Sequence, residues 1–182
     1  MKSDFRRAWR EKYPRDPGIR QRCSARVVEL LRASSEFKNA EQVALFAAQP
    51  WEIDLAGLWN ARPEACVLPR VEGDRLHFHF VKSWADLKVG YKGILEPPAT
   101  AVPAGAFRET DLLLVPGLAF DRFGGRIGSG KGFYDRFLPT VSGQFWAVGY
   151  EQQIFDGELA QEPLDVRMGA IVTERGIFRV TR

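Results

Sequence analysis

Apolar and polar positions along this chain repeat with two periods, and the two are interleaved. Residues 2–12 put Phe5, Ala8 and Trp9 on one side and Lys2, Arg6, Arg7 and Arg10 mostly elsewhere. That pattern predicts a short helix, which Pro14 and Pro17 end. Ile19, Cys23, Val27, Leu30 and Leu31 recur at helical spacing and predict a second helix over 18–34. Gln42–Ala47 is a short apolar run of the kind that forms a buried strand, followed past Pro50-Trp51 by a predicted helix over Ile53–Asn60. Ala65–Leu68 predicts another strand, ended by Pro69. Leu76, Phe78 and Phe80 alternate with His77, His79 and Val81 as in a half-buried strand. With no Cys or His partner elsewhere, the two histidines read as exposed strand residues rather than as metal ligands.

Asp86–Pro98 reads as irregular, with turns at Gly90 and Gly93, and Ala99–Ala106 as loop. Leu112–Val115 is a second buried apolar run, and Phe145–Gly149, Ala170–Thr173 and Ile177–Val180 predict three more strands. Strands alternating with helices argue for an α/β fold on a largely parallel central sheet. Ligand groups then gather at the C-terminal strand ends. Glu52, the glycine-rich stretch after Val115 and the Gln152–Gln153 region are expected there.

That stretch runs from strand through Gly124, Gly125, Gly128, Gly130 and Gly132 into the helical sequence FYDRFL. Strand, glycine loop and helix is an arrangement that cradles phosphate, because backbone N–H groups can approach an anion. Gly125–Lys131 is spaced as GxxxxGK, but Gly132 stands where a P-loop places its Mg²⁺-binding Ser or Thr. Asp135 is the nearest group that could hold the metal instead. The plainer reading is a glycine-rich surface loop. Glu52 likewise reads either as a ligand group or as a first-turn carboxylate on the following helix.

Composition narrows the classes. The chain has 182 residues, enough for one domain over 1–182, and five Trp within a 45% hydrophobic content can fill a sizeable core. A net charge of +3, spread along the chain, suits a small polyanion rather than a nucleic acid. Cys23 and Cys66 form no CxxC pair and read as reduced thiols. The charged Met1–Arg10 segment is not expected to be a secretory leader, and no apolar run is long enough for a membrane helix. A cytoplasmic monomer is expected.

The motifs also stand in a recognisable order: Lys2-Ser3-Asp4-Phe5-Arg6, Glu52-Ile53-Asp54, Leu68-Pro69-Arg70-Val71, Gly93-Ile94-Leu95-Glu96-Pro97, Val115–Asp121 (VPGLAFD) and Gly128–Asp135 (GSGKGFYD). Together they resemble the 5-formyltetrahydrofolate cyclo-ligase (methenyltetrahydrofolate synthetase) family over nearly the whole chain. The resemblance implies a three-layer α/β/α domain, similar to the sugar-phosphate isomerase and CoA-transferase group. It implies closure of 5-formyltetrahydrofolate to 5,10-methenyltetrahydrofolate with ATP and Mg²⁺, releasing ADP and phosphate. It implies ATP at Lys2, Arg6, Arg126, Gly128, Ser129, Gly130, Lys131, Gly132, Phe133 and Tyr134, with Lys131 and Arg126 catalytic. Folate is implied at Phe46, Ala47, Trp51, Glu52 and Tyr134, and Mg²⁺ at Asp135 and Asp165. The chain departs from the family pattern at Leu164, where His is usual, and at Gly169, where a second Asp is usual. Ser129 stands where Tyr or Arg is common, and Phe133 where the first of two Tyr is expected. Two alternatives stand beside the cyclo-ligase: an ATP-dependent ligase or kinase of the same fold on another substrate, and a family member that binds folate or nucleotide without turnover.

Overall fold

The computed structural model describes residues 2–160 and 165–181. Three helices come first: α1 (Lys2–Arg10), α2 (Pro17–Ala33) and α3 (Ser35–Asn39). Asp16 caps α2 by accepting the Ile19 N–H at 2.8 Å, with Pro17 at the first helical position. Then come β1 (Val43–Ala44), α4 (Ala56–Ala61), β2 (Cys66–Glu72), β3 (Arg75–Phe80), β4 (Lys88–Val89), β5 (Leu95–Glu96) and β6 (Val102–Pro103). The second half holds β7 (Leu112–Pro116), β8 (Ala119–Asp121), β9 (Arg126–Ile127), α5 (Phe133–Phe137), β10 (Gln144–Val148), β11 (Ile154–Phe155), β12 (Ala170–Thr173) and β13 (Gly176–Arg179).

The main sheet has eight strands in the order β13-β12-β10-β7-β1-β2-β3-β6. The five from β12 to β2 are parallel, as the apolar runs predict, and the outer pairings β12–β13, β2–β3 and β3–β6 are antiparallel. Successive residues of a strand face opposite sides. Leu112 and Leu114 pack with Val27 and Leu31 of α2, Phe37 of α3 and Leu58 of α4 on one face, and Leu113 and Val115 pack with Phe78, Phe120, Leu138 and Met168 on the other. That second face is covered by α5, the 3₁₀ turn Leu138–Thr140 and an aromatic group of Phe78, Phe107 and Phe137. Strand order reverses between β1 and β7, so the segments leaving those two strands diverge and open a crevice.

Several local expectations differ. β2 does not stop at Pro69 but runs through it to Glu72. The Phe78 carbonyl opposite Pro69 accepts from Ala104 N–H at 2.8 Å, on the far side of β3. Pro69 therefore turns its missing donor away from β3, past the end of the two-residue β1, where no ladder bond is lost. The predicted helix at Ile53 starts at Ala56, leaving Glu52 outside the first turn. His79 is buried rather than exposed, at 7% of its accessible surface, and burial holds its imidazole pKa below the ordinary value. Between β7 and the glycine loop the chain inserts a hairpin, β8–β9, which joins β11 in a separate three-stranded sheet.

Candidate active site

The crevice at the C-terminal end of β1 and β7 is a cavity of about 920 Å³. Phe46, Ala47, Gln49, Trp51 and Glu52 line it from the segment after β1, and Pro116, Gly117 and Leu118 from the end of β7. Arg126, Gly128, Ser129, Lys131, Phe133, Tyr134 and Asp135 line it from β9, the loop and α5. Two groups of residues far apart in sequence, predicted for folate and for ATP, thus share one cavity.

The β1 side is apolar and desolvated. Glu52 accepts the Gln49 N–H at 2.9 Å. Burial pushes its carboxyl up to about 7, against the opposing pull of that N–H. No described cation pairs with it. Tyr134 reaches the cavity from the loop side, and its hydroxyl is buried without a hydrogen-bond partner among the described residues. The Tyr134 phenol is raised far above its ordinary range, first by burial and then by the Glu52 charge. Trp51 is about half exposed at the rim.

The loop side is cationic, and a buried carboxylate supports it from behind. Asp121 ends β8 with none of its surface exposed. Its Oδ1 accepts N–H groups from Phe123 at 2.8 Å and Gly125 at 2.7 Å, and its Oδ2 accepts Leu159 N–H at 2.7 Å. Gly125 is glycine for space: a Cβ there would lie 2.3 Å from Asp121 Oδ2. This corrects the GxxxxGK reading, because the Gly125 N–H belongs to the hairpin turn and not to a phosphate cradle. The part of this stretch that reaches the cavity is the shorter Gly128–Gly132 loop, in which Gly130 and Gly132 take φ of 97° and 69°. α5 behind it is a single turn of five residues, so the macrodipole adds little.

Cations surround this loop. Arg6 Nε donates to the Gly128 carbonyl at 3.2 Å, and its guanidinium covers Gly130. α1 is held there by Phe5 and Trp9, which stack at 4.5 Å and both meet Phe155 of β11 edge-on. The Arg126 side chain is 7% exposed. It donates to the Pro116 carbonyl at 3.3 Å and to Asp135 Oδ1, and lies 5.8 Å from the Tyr134 ring. Lys131 is exposed at the cavity wall and has no carboxylate partner among the described residues.

Not every expected residue joins the cavity wall. Arg6, Gly130 and Gly132 are not lining residues, and the Arg6 guanidinium packs against Gly130. Asp165 is half-buried and is not a lining residue, so Asp135 and Asp165 do not appear together on this wall. Among the described residues no group of three or more His, Cys, Asp or Glu could hold a metal. Leu164 and the Lys2 side chain lie outside what the structure describes. The Gln152–Gln153 region is structural at Gln153, which is 1% exposed. Its amide donates to the Gly117 and Leu118 carbonyls at 2.8 and 3.0 Å and accepts Tyr150 N–H at 2.8 Å.

Other lining residues are not assigned to the site by sequence. Arg10, Tyr13, Arg15 and Arg20 reach the cavity from the α1–α2 junction, and Tyr91, Lys92 and Glu96 from the β4–β5 turn. Of these, Glu96 stands in the Gly93–Pro97 motif and Arg10 among the basic residues of the first predicted helix, neither with a site role attached.

Comparison with known proteins agrees with this geometry. A family model described as the 5-formyltetrahydrofolate cyclo-ligase family matches residues 4–174. A protein of Escherichia coli K12 named 5-formyltetrahydrofolate cyclo-ligase is 31% identical over 148 residues, covering 76% of this chain and 81% of that protein. One of the same name from Mycolicibacterium smegmatis is 44% identical over 88 residues, covering 47% of this chain and 45% of its own length. The chain thus spans less than half of that relative. The NMR structure of Aquifex aeolicus 5,10-methenyltetrahydrofolate synthetase matches with a TM-score of 0.86 at 34% identity, covering 100% of this chain and 93% of that one.

Proposed function

This chain belongs to the 5-formyltetrahydrofolate cyclo-ligase family, and from that premise we propose that it closes 5-formyltetrahydrofolate to 5,10-methenyltetrahydrofolate, consuming ATP and releasing ADP and phosphate. The observation that carries the reading is a single cavity with one desolvated, aromatic wall and one cationic, glycine-rich wall. The first suits a reduced pterin and the second a triphosphate.

A formamide oxygen is a poor leaving group. Phosphorylation of that oxygen by ATP makes it leave as phosphate, and the neighbouring folate N10 then bonds to the formyl carbon. The protein's task is to hold donor and acceptor in line and to offset developing negative charge. Backbone N–H groups of Gly128–Gly132 and the Lys131 ammonium would take the phosphates. Arg126 would add a fixed charge from its buried position, and Arg6 would brace the loop. Phe46, Ala47 and Trp51 would form the apolar face for the pterin, and Tyr134 would wall the junction of the two substrates. Glu52, held partly protonated near neutral pH by burial, can both accept and donate hydrogen bonds to pterin N–H and carbonyl groups.

Mg²⁺ binds few protein carboxylates when phosphates supply the remaining oxygens. Asp135, accessible on the loop wall, fits as such a ligand, whereas Asp165, proposed from the sequence as the second carboxylate, does not line that wall. The ion would neutralise charge on the nucleotide. Arg126 donates to Asp135 Oδ1, so the guanidinium and the ion would compete for that carboxylate. The same reading makes the protein a cytoplasmic monomer in which one domain, 1–182, holds both half-sites. Among the described residues no helix is long and apolar enough to cross a membrane.

The test is the appearance of methenyltetrahydrofolate absorbance on mixing protein, ATP, Mg²⁺ and 5-formyltetrahydrofolate, with ATP omitted as control. ATP-dependent absorbance supports the reading. Tight folate binding without ADP release would replace it with a binding role, and ADP release only with another acceptor would replace the substrate.

A further inference from the structure

The turn between β4 and β5 lines the cavity with Tyr91, Lys92, Ile94 and Glu96, and the reaction described above gives none of them a part. Lys92 is the only non-glycine among the described residues with positive φ, at 52°. It stands between Gly90 and Gly93, so glycine is used on both sides of it but not at the strained position itself. A side chain kept in the left-handed region marks a site where the surroundings over-determine the backbone. Lys92 is exposed, lines the cavity and has no carboxylate partner among the described residues. Its ammonium rests 5.8 Å from the ring of Tyr91.

The turn is fixed at both ends. The Tyr91 ring meets Phe133 edge-on at 5.3 Å, and Phe133 is the first residue of α5, directly behind Lys131-Gly132. Below the turn, Glu96 is 5% exposed, and its Oε1 accepts the Tyr91 N–H at 3.1 Å. Gly90 makes room for this carboxylate, since a Cβ there would lie 2.3 Å from Oε2. Arg70 donates to the Pro97 carbonyl at 2.9 Å and ties the end of β5 to β2. A buried carboxylate whose hydrogen bond goes to the backbone next to a strained, unpaired lysine holds that lysine in place.

We infer that the Gly90–Gly93 turn is an anion clamp, in which Lys92 presents its ammonium to anionic oxygens of a bound substrate and Glu96 is the positioning residue that holds the turn. This rests on the nucleotide and folate occupants proposed above. Both carry anionic oxygens, and the experiment separates them.

Wild-type protein and Lys92→Ala are titrated by calorimetry with Mg²⁺ and a non-hydrolysable ATP analogue, and separately with 5-formyltetrahydrofolate. Lys92→Ala weakens one of the two about tenfold, as for loss of a charge-assisted hydrogen bond, and leaves the other unchanged. The ligand affected identifies the anion. Lys92→Gly weakens the same ligand but raises the thermal midpoint, because glycine accepts the left-handed backbone. Glu96→Ala raises KM for that substrate with kcat little changed, and Glu96→Gln, which keeps an acceptor for Tyr91 N–H, restores it. The Lys92→Ala/Glu96→Ala pair is no worse than Lys92→Ala alone. Wild-type affinity for both ligands in Lys92→Ala, while wild-type protein makes product, overturns the clamp alone. Additive losses in the double variant overturn the positioning role of Glu96. Wild-type protein that binds ligand but makes no product overturns the catalytic reading, and the clamp is then judged on the binding data.

Discussion

Glu52 faces the cavity from the segment after β1 with no described cation against it, whereas Asp135 faces the same cavity from α5 with Arg126 on its Oδ1. The residue types are near equivalents, and their surroundings set them apart. Desolvation keeps Glu52 poised between its neutral and charged forms, which suits a heterocycle with both donors and acceptors. A guanidinium beside Asp135 marks a wall that favours charge, and on the proposed reading a metal or a phosphate would exchange places with existing partners there. Two different chemistries can therefore occupy one continuous cavity without a partition between them.

The strongest way to break this contrast is on the charged wall. Lys131→Ala should slow methenyltetrahydrofolate formation about a hundredfold, the usual cost of losing one preorganised charge contact to a transition state, with folate affinity unchanged by calorimetry. Wild-type turnover in that variant would remove the phosphate role of the loop. On the desolvated wall, Glu52→Gln should weaken folate binding about tenfold and leave ATP-analogue binding alone. It should also change the pH dependence of stability. The Glu52 pKa rises from 4.5 to about 7 on folding, so between those values the folded chain holds a proton that the unfolded chain has released. Its stabilising effect is complete below pH 4.5 and is lost as pH rises through 7. Thermal midpoints of Glu52→Gln should lack that decline, and a parallel decline in both proteins would assign it elsewhere.

Smaller effects sharpen the picture. Asp135→Asn should raise the Mg²⁺ concentration for half-maximal rate about fivefold, as expected for one of few carboxylate ligands. An unchanged titration would transfer the metal to Asp165. Arg6→Ala should raise KM for ATP about threefold, since one hydrogen bond to Gly128 braces the loop without facing the cavity. A larger loss there would mean that Arg6 moves onto the nucleotide.

The parallel sheet was legible because β7 and β12, and β10 from Trp146 on, are buried and read as apolar runs. Glu52, Lys131 and Tyr134, picked out through motif order, line one cavity. The β8–β9 hairpin was not legible, because its turn glycines merge in sequence with those of the loop, and only the Asp121 contacts separate them. Pro69 misled for a similar reason: whether a proline ends a strand depends on which neighbour faces its nitrogen. Gln153 and Glu96 stood out in the sequence, but their structural roles did not, because their hydrogen-bond partners lie in turns whose geometry no local pattern records. Lys92 was hidden because an unusual φ leaves no mark on residue identity.

The buried carboxylate of Asp121 has a consequence for the order in which the molecule assembles. It binds N–H groups at 123 and 125 and, 38 residues from Asp121 itself, at 159. β8 itself pairs with β11, which follows it by more than thirty residues. During synthesis the glycine loop can be complete in sequence and still lack the segment that pins its base. The β1 wall, by contrast, has its local bond from Gln49 to Glu52 as soon as that turn forms. That bond does not complete the wall, since β1 pairs with β7 in the second half of the chain, but a chain cut short of Leu159 would keep the glycine motif while losing one of the N–H groups that hold Asp121 beneath it.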